Sequence, residues 1–390
     1  MSRQLIRRND DLRKLLDEGY EVDVREGILV VGHVPHLDSS AHPQIGTIVC
    51  PLNLSGDQTI APNDHTVWFA GTQPHRRDCT AIDLSIDDTV RTMAGVRVNF
   101  RFSRAPLGGN FANFYDQVTA YVAIISGPAE EVDPLLTPLT HRVLEMREEE
   151  SVFLYADTAS ARAQITEQSS LLAQDRIAII GLGGTGSYIL DFVAKTHVRE
   201  IHLYDDDLFA THNAFRAPGA ASMDELNMRL GKAEHFELVY SKMRRGVVAH
   251  GYLDESNVDE LRTMSFVFVA VDKGRAKQLA MSALLEASVP FVDVGMGIYE
   301  TVADGPLWGQ LRVSTALPGE TGAQVTISTA DGGDKDVYDQ NIQMGELNAL
   351  NAALAVIKWK KLRGFYVDKS HENVSFYHLD VNVLVNERRT

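Results

Sequence analysis

The sequence has 390 residues, 44% apolar and 23% charged, enough for two domains that each bury a core. A formal net charge of −16 argues against broad nucleic-acid or anionic-membrane binding, because phosphate affinity comes from clustered Lys and Arg. Two cysteines, Cys50 and Cys79, lie in no paired spacing, which argues against a structural zinc site and a disulfide scaffold. No apolar run has the length of a membrane span. Arg3, Arg7 and Arg8 lead into the helix start Asn9-Asp10-Asp11 rather than into a signal sequence, so the expected location is the cytoplasm.

In chain order, residues 1–20 are expected to form one short helix with Leu12, Leu15 and Leu16 on its apolar face. From Tyr20 to Ser126 come short strands, clearest at Ile28–Val31, Ile45–Cys50, Thr66–Phe69 and Arg97–Phe102. Pro51, Gly56-Asp57, Pro62-Asn63-Asp64 and Gly108-Gly109-Asn110 supply turns between them. Glu148 to Arg176 turns helical. Then Arg176–Ile180, Ile201–Tyr204, Ser265–Val271 and Pro290–Val294 read as buried strands alternating with helices, the first of which is Ser187–Ala194. The fold class is α/β, a doubly wound, mostly parallel Rossmann-like sheet at 151–390, with a separate β-rich α+β domain at 1–150. Lys242, Arg244 and Arg245 form the one basic cluster and read as a solvated helix face. In Gln340–Arg363, Ile342, Leu347, Leu350, Leu354 and Ile357 recur at helical spacing, Glu346, Asn348 and Asn351 make the polar positions, and Gly364 ends the helix. Its apolar face is expected in the core, with a dimer face as the alternative.

The chemistry concentrates after the first parallel strand. Gly181-Leu182-Gly183-Gly184-Thr185-Gly186 is a G-x-G-x-x-G loop between strand and helix, where backbone N–H groups and the helix N-terminus can approach a phosphate chain. Asp205, at the end of the second strand, stands where an acid accepts ribose hydroxyls. Beyond it come Asp206, Asp207, Asn213, Arg216 and Gly231-Lys232. Acids beside a phosphate loop disfavour a dinucleotide, whereas Asn, Arg and Lys suit a triphosphate leaving group. Asp272 ends a strand at the carboxyl edge of the sheet, a position suited to Mg²⁺.

Taken together, the glycine loop, Asp205, Asp207, Asn213, Arg216, Lys232 and Asp272 resemble the ThiF/MoeB/ubiquitin-activating superfamily across residues 155–365. The resemblance implies that the loop (Gly181, Gly183, Gly184, Thr185, Gly186) holds ATP and that Asp205 binds ribose. It implies that Asn213, Arg216 and Lys232 hold the phosphates, that Asp272 binds Mg²⁺, and that the enzyme adenylates the C-terminal glycine of a ubiquitin-like or sulfur-carrier protein. It further implies a homodimer, with an arginine supplied by the partner protomer; Arg162 is the candidate. Asn213–Ala217, Asp293-Val294-Gly295-Met296-Gly297 and Glu346-Leu347-Asn348-Ala349-Leu350-Asn351 resemble a bacterial subgroup that adds a β-rich N-terminal domain and sits in antiphage-defence operons beside ubiquitin-like conjugation partners, a conjugating enzyme among them.

Two departures shape the expectation. No cysteine comes after Cys79, so a thioester on this part of the chain is not expected. Cys79, after His75-Arg76-Arg77-Asp78, is the only candidate for a reactive thiol and Cys50 reads as structural. His65 and His75 read as hydrogen-bonded turn residues. Pro318–Asp336 reads as a crossover loop able to close on the peptide tail. The alternatives are a nicotinamide-dependent oxidoreductase, a tRNA-modifying dehydratase of related fold and a non-catalytic partner subunit.

Overall fold

A computed structural model of the chain describes residues 2–142, 151–163, 165–271, 274–302, 305–319 and 342–388. The chain divides into two units, 1–167 and 168–390. In the first, α1 (Ser2–Arg8) and α2 (Asp10–Glu18) replace the single expected helix. Asn9 breaks it, because its buried side chain is committed elsewhere: Nδ2 donates to Leu5 O at 2.7 Å and Oδ1 accepts from Thr59 N at 2.7 Å. Strands β1 (Glu21–Arg25), β2 (Ile28–Leu37) and β3 (Pro43–Pro51) succeed them, then the small hairpin β4 (Leu54–Ser55) and β5 (Gln58–Thr59). Next come β6 (Val67–Ala70), β7 (Ser85–Asp87), a second hairpin β8 (Arg91–Met93) and β9 (Val96–Val98), and β10 (Phe100–Phe102). The main sheet runs β1-β2-β3-β6-β10-β7, antiparallel throughout.

The stretch expected as one strand over 97–102 is two, since Asn99 turns its backbone N–H to Phe69 O at 2.8 Å and hands the chain from hairpin to sheet. A helix that the strand pattern obscured, α3 (Phe114–Val132), covers one face of the sheet. Phe114, Val118, Tyr121, Val122 and Ile125 are its buried stripe, at helical spacing, against Val22, Leu29, Val31, Ile48 and Phe69. Asn113 starts α3 by accepting from Asp116 N at 2.8 Å. The short helix α4 (Thr158–Ala163) lies in this unit too, with Ala161 buried among Ile28, Val30, Val49 and Trp68.

After α5 (Thr166–Ser170), which straddles the division, the second unit alternates strands and helices. In order these are β11 (Arg176–Ile180), α6 (Gly184–Ala194), β12 (Glu200–Tyr204), α7 (Thr211–Ala214), α8 (Met223–Asn227), α9 (Lys232–Tyr240) and β13 (Val247–His250). A 3-10 helix at Val258–Thr263, β14 (Phe266–Val269), α10 (Arg275–Glu286), β15 (Phe291–Glu300) and β16 (Leu307–Ala316) come next. The unit ends with α11 (Gly345–Leu362), β17 (Val374–His378) and β18 (Val383–Glu387). The eight-stranded sheet is ordered β13-β12-β11-β14-β15-β16-β17-β18. Pairing is parallel from β13 to β15 and antiparallel from β15 to β18. The ThiF-type α/β fold beside a separate β-rich unit is the expected class; β13 and the antiparallel extension were not among the expected elements. One sheet face (Ile177, Ile179, Leu203, Phe268) is covered by α6 and α11, the other (Ala178, Ile180, Val267, Val269) by α10.

Of the basic cluster, Lys242 and Arg245 are exposed as expected, but Arg244 is not. Arg244 is 1% exposed. Its guanidinium donates to the carbonyls of Ala194 (3.4 Å), Thr196 (3.2 Å) and Val198, the orphan acceptors past the end of α6. Burial lowers its pKa to about 10, so it stays charged at neutral pH. Arg244→Met leaves those carbonyls unpaired and should destabilise the chain by about 2–4 kcal/mol. Lys242→Met, at an exposed position, should stay within about 0.5 kcal/mol. Urea unfolding of the two variants checks this.

Candidate functional site

The glycine loop turns between β11 and α6 at the carboxyl edge of the parallel strands. Gly181 adopts φ +88°, where a side chain is strained, and a Cβ there would stand 2.6 Å from Val271 Cγ1. Its N–H donates to Tyr204 O at 2.8 Å, which ties the loop to the end of β12. Gly184 lets a different neighbour in: a Cβ would fall 1.9 Å from Asn348 Nδ2 on α11. Gly186 leaves room for Gly181 O, only 1.8 Å from where a Cβ would be. Gly183, the residue before α6, is the exception, since a Cβ would meet nothing within 4 Å. Its backbone is therefore approachable from outside, which is what a phosphate requires. Thr185 Oγ1 donates to Asn348 Oδ1 at 3.0 Å.

Asp205, the acid expected to hold ribose, and Asp207 are engaged within the chain. Asp205 Oδ2 accepts from Leu182 N at 2.6 Å and Oδ1 from Asp207 N at 3.0 Å. Lys232 opens α9 almost wholly buried, its Nζ 2.6 Å from Asp207 Oδ2 and 3.4 Å from Asp205 Oδ1. Thus Lys232, remote in sequence, joins Asp205 and Asp207 in one ion cluster tied to the glycine loop through Leu182 N.

Three hydrogen-bond donors nearby have no partner. Asn213 is 2% exposed; its Oδ1 accepts from Ala210 N at 2.9 Å, but its Nδ2 is buried and unpaired. Arg216 Nε and Asn348 Nδ2 are likewise buried without a partner. An unmet buried donor costs about 1–3 kcal/mol, so three of them, one against the loop and two in the segment that Gly345 touches, point to a ligand that supplies acceptors. Phosphate oxygens and the ring nitrogens of a base are such acceptors.

Asn348 and Asn351 were expected on the outer face of α11, and the structure reverses that. Both are fully buried, while Ile357, expected inside, is 41% exposed. Asn351 Nδ2 donates to Gly295 O at 3.1 Å, and the backbone of Gly345 lies against Phe215 and Arg216. The three stretches that resemble the bacterial subgroup are therefore neighbours in space, joined by α11. In the middle one, Asp293 is fully buried between Lys277 Nζ (2.7 Å) and Arg312 Nη2 (2.6 Å). Asn348 is a candidate site residue that sequence reasoning did not pick out; the signal was a pair of Asn residues four positions or fewer from a stripe of Ala and Leu.

Asp272 lies outside the described residues, as does most of the expected crossover loop at 318–336. Arg162 is exposed on α4, in the first unit, where it borders a cavity of about 180 Å³ lined by Cys50, Asp64, Trp68, Arg101 and Gln117. His65 Nε2 pairs with Ser103 Oγ at 3.0 Å and His75 Nδ1 with Gln73 O at 2.8 Å, both turn-stabilising. Cys50 is buried, which pushes its thiol up to about 12, and Cys79 is exposed.

Two family models match the chain. The ThiF family model matches residues 156–345, and that of a domain of unknown function, DUF6791, matches residues 10–158. Among solved structures, E. coli MccB aligns at 16% identity over 57% of this chain and 67% of that one, with a TM-score of 0.44. E. coli MccB with ATP aligns at 17% identity over 59% and 71%, with a TM-score of 0.44. PaaA aligns at 17% identity over 57% and 76%, with a TM-score of 0.43. No curated protein matches. The chain carries a ThiF family domain at residues 156–345, behind an N-terminal domain of unassigned function.

Proposed function

We propose that this chain is an ATP-dependent adenylating enzyme that activates the C-terminal glycine of a ubiquitin-like or sulfur-carrier protein. One observation carries the reading: a buried, unpaired donor on Asn348 lies against the glycine loop, two more on Asn213 and Arg216 lie in the segment that the start of the same helix touches, and Lys232 joins the acid that holds the loop. A nicotinamide-dependent reaction leaves Lys232, Asn213 and Arg216 without a task.

The incoming glycine carboxylate attacks the α-phosphorus of ATP in line. A carboxylate O–P bond forms, the bond to the bridging oxygen breaks, and pyrophosphate leaves with the electron pair. No protein nucleophile takes part. Negative charge grows on the departing phosphates, where Lys232 and Arg216 oppose it. Lys232 begins this step paired to Asp207, an exposed carboxylate that water can solvate once Nζ turns to phosphate. Asp205 remains fixed by Leu182 N with lone pairs left for ribose hydroxyls. Mg²⁺, which we assign to Asp272, supplies further neutralisation of the phosphate oxygens when bound. Arg162 is assigned to a partner protomer's site, which makes a homodimer part of the proposal, and a conjugating enzyme would take the activated chain onward in an antiphage pathway.

ATP–pyrophosphate exchange in the presence of candidate ubiquitin-like proteins tests the reading. Asp272→Ala and Lys232→Ala should each lower exchange by about 10²-fold or more, and chelation of Mg²⁺ should abolish it. Tight NAD binding with no exchange from any partner overturns the assignment. Gly184→Ala drives a methyl into Asn348 and should weaken ATP binding at least tenfold, measured by calorimetry; unchanged affinity would show that the helix contact does not shape the loop. The Cys50→Ala/Cys79→Ala double variant should retain exchange at the parental rate, and its loss in a folded protein would place a thiol in the adenylation step.

A further inference from the structure

Away from the glycine loop, the described residues hold one group of three metal-ligating side chains whose ligand atoms converge: His202, His250 and Glu260, all within 4.8 Å of one another. The fold makes this group locally. His202 and Tyr204 point to the same face of β12, two residues apart, and the register of β12 with β13 sets Tyr204 opposite His250. Tyr204 and His250 stack at 4.4 Å, and Tyr204 Oη donates to Glu260 Oε2 at 2.9 Å from the 3-10 helix.

The hydrogen inventory of the two rings fits a cation between them. His202 Nε2 faces Glu200 Oε2 at 3.4 Å, and His250 Nδ1 faces Glu260 Oε2 at 3.5 Å. Glu200 is held by Arg176 Nε at 2.6 Å, and a carboxylate only accepts, so His202 turns its Nε2–H to Glu200 and keeps Nδ1 as a lone pair, while Glu260 Oε2 accepts from Tyr204 Oη. The other two nitrogens, His202 Nδ1 and His250 Nε2, then face each other at 3.0 Å. With both rings neutral His250 donates Nε2–H to His202 Nδ1, and a cation bound there would move that proton to His250 Nδ1 and take both facing nitrogens. A carboxylate that fixes one imidazole nitrogen so that the other is free is the outer arrangement typical of metal-binding histidines. Two histidines on a tetrahedral zinc, with bonds of about 2.0–2.1 Å, place their nitrogens roughly 3.3–3.4 Å apart. The pair needs to open by only a few tenths of an ångström.

We propose that His202 Nδ1, His250 Nε2 and the Glu260 carboxylate form a site for a borderline divalent cation of the zinc class, with water completing the shell. Two imidazoles and one carboxylate select such an ion over Mg²⁺ or Ca²⁺, which take all-oxygen shells. Glu260 gives the route in, since its side chain is 50% exposed while that of His202 is 11% exposed. The site is separate from the adenylation proposal, which assigns none of these three residues, and stands or falls without it.

The full-length chain, stripped with chelator and dialysed, is titrated with Zn²⁺ by calorimetry and with Co²⁺ by visible absorption. The expected result is one equivalent of Zn²⁺, d–d bands of a nitrogen-containing low-coordinate Co²⁺ site, and no binding of Mg²⁺ by these residues. His250→Gln and His202→Gln should each weaken Zn²⁺ by tenfold or more. His250 is less buried, so its variant keeps the test valid if the His202 variant fails to fold, as judged by circular dichroism. No saturable Zn²⁺ binding up to millimolar concentration, or equal binding by wild type and a folded His250→Gln, overturns the proposal and leaves a proton shared between the rings.

Discussion

The second unit is organised by the closeness of two helices at one point. Gly184, at the start of α6, touches the Asn348 amide of α11 so closely that a single methyl group would collide with it. That approach lets Asn348 reach Thr185 and buries its Nδ2 next to the phosphate loop. It also fixes where α11 lies on the sheet. At its far end α11 is held again: Trp359 Nε1 and Arg363 Nε both donate to Asp175 Oδ2, at 3.0 and 2.6 Å, just before β11. A helix pinned at both ends in this way carries Asn351 to Gly295 and Gly345 to Phe215. The loop, the Asn213–Arg216 segment and the β15 segment are then one rigid surround, as a site that must bind phosphates without reorganising requires.

Burial of charge is the second constraint, and it shows how an acidic chain can still offer a candidate phosphate site. The cations that matter are not on a basic patch. Lys232 is held by Asp205 and Asp207, and Lys277 and Arg312 share the fully buried Asp293. Removing one partner of such a group leaves a buried charge uncompensated, which is far more harmful than replacing the whole group. Net charge thus describes encounter and solubility, while the site depends on which few charges the fold desolvates.

The ThiF-type sheet and the place of the candidate site residues around its glycine loop were legible in the sequence, for physical reasons that can be named. Apolar runs such as Arg176–Ile180 belong to strands covered on both faces, and turn glycines and strand-end acids are dictated by local backbone geometry. What was not legible depended on partners far along the chain. Arg244 looks solvated until the carbonyls past α6 are placed around it. Asn348 and Asn351 look like an outer face because periodicity weighs polarity, whereas here two amides are buried to contact backbone and loop. In the first unit, Asn9 breaks a helix because of Thr59, and α3 hides among β-branched and aromatic residues whose spacing is helical but whose composition favours strands.

The location of the thiols constrains the fate of the adenylate. Cys50 is buried in the first unit with its pKa pushed up to about 12, so at neutral pH it is neither a nucleophile nor easily made one. Residues 168–390 contain no cysteine, so on the proposed chemistry the unit that makes the mixed anhydride has no thiol of its own to receive the acyl group. An acyl-adenylate does not need one. AMP is a good leaving group, and an amine, sulfide or thiol brought by a partner can displace it directly, provided water is kept out in the interval. The demands on the unit are then to hold the anhydride, exclude water and present the carbonyl, all of which come from a rigid, buried surround rather than from a nucleophile. On the proposed chemistry, the absence of a cysteine after Cys79 is consistent with the rest of the site: the glycine loop and the residues packed around it would serve the making and keeping of the adenylate.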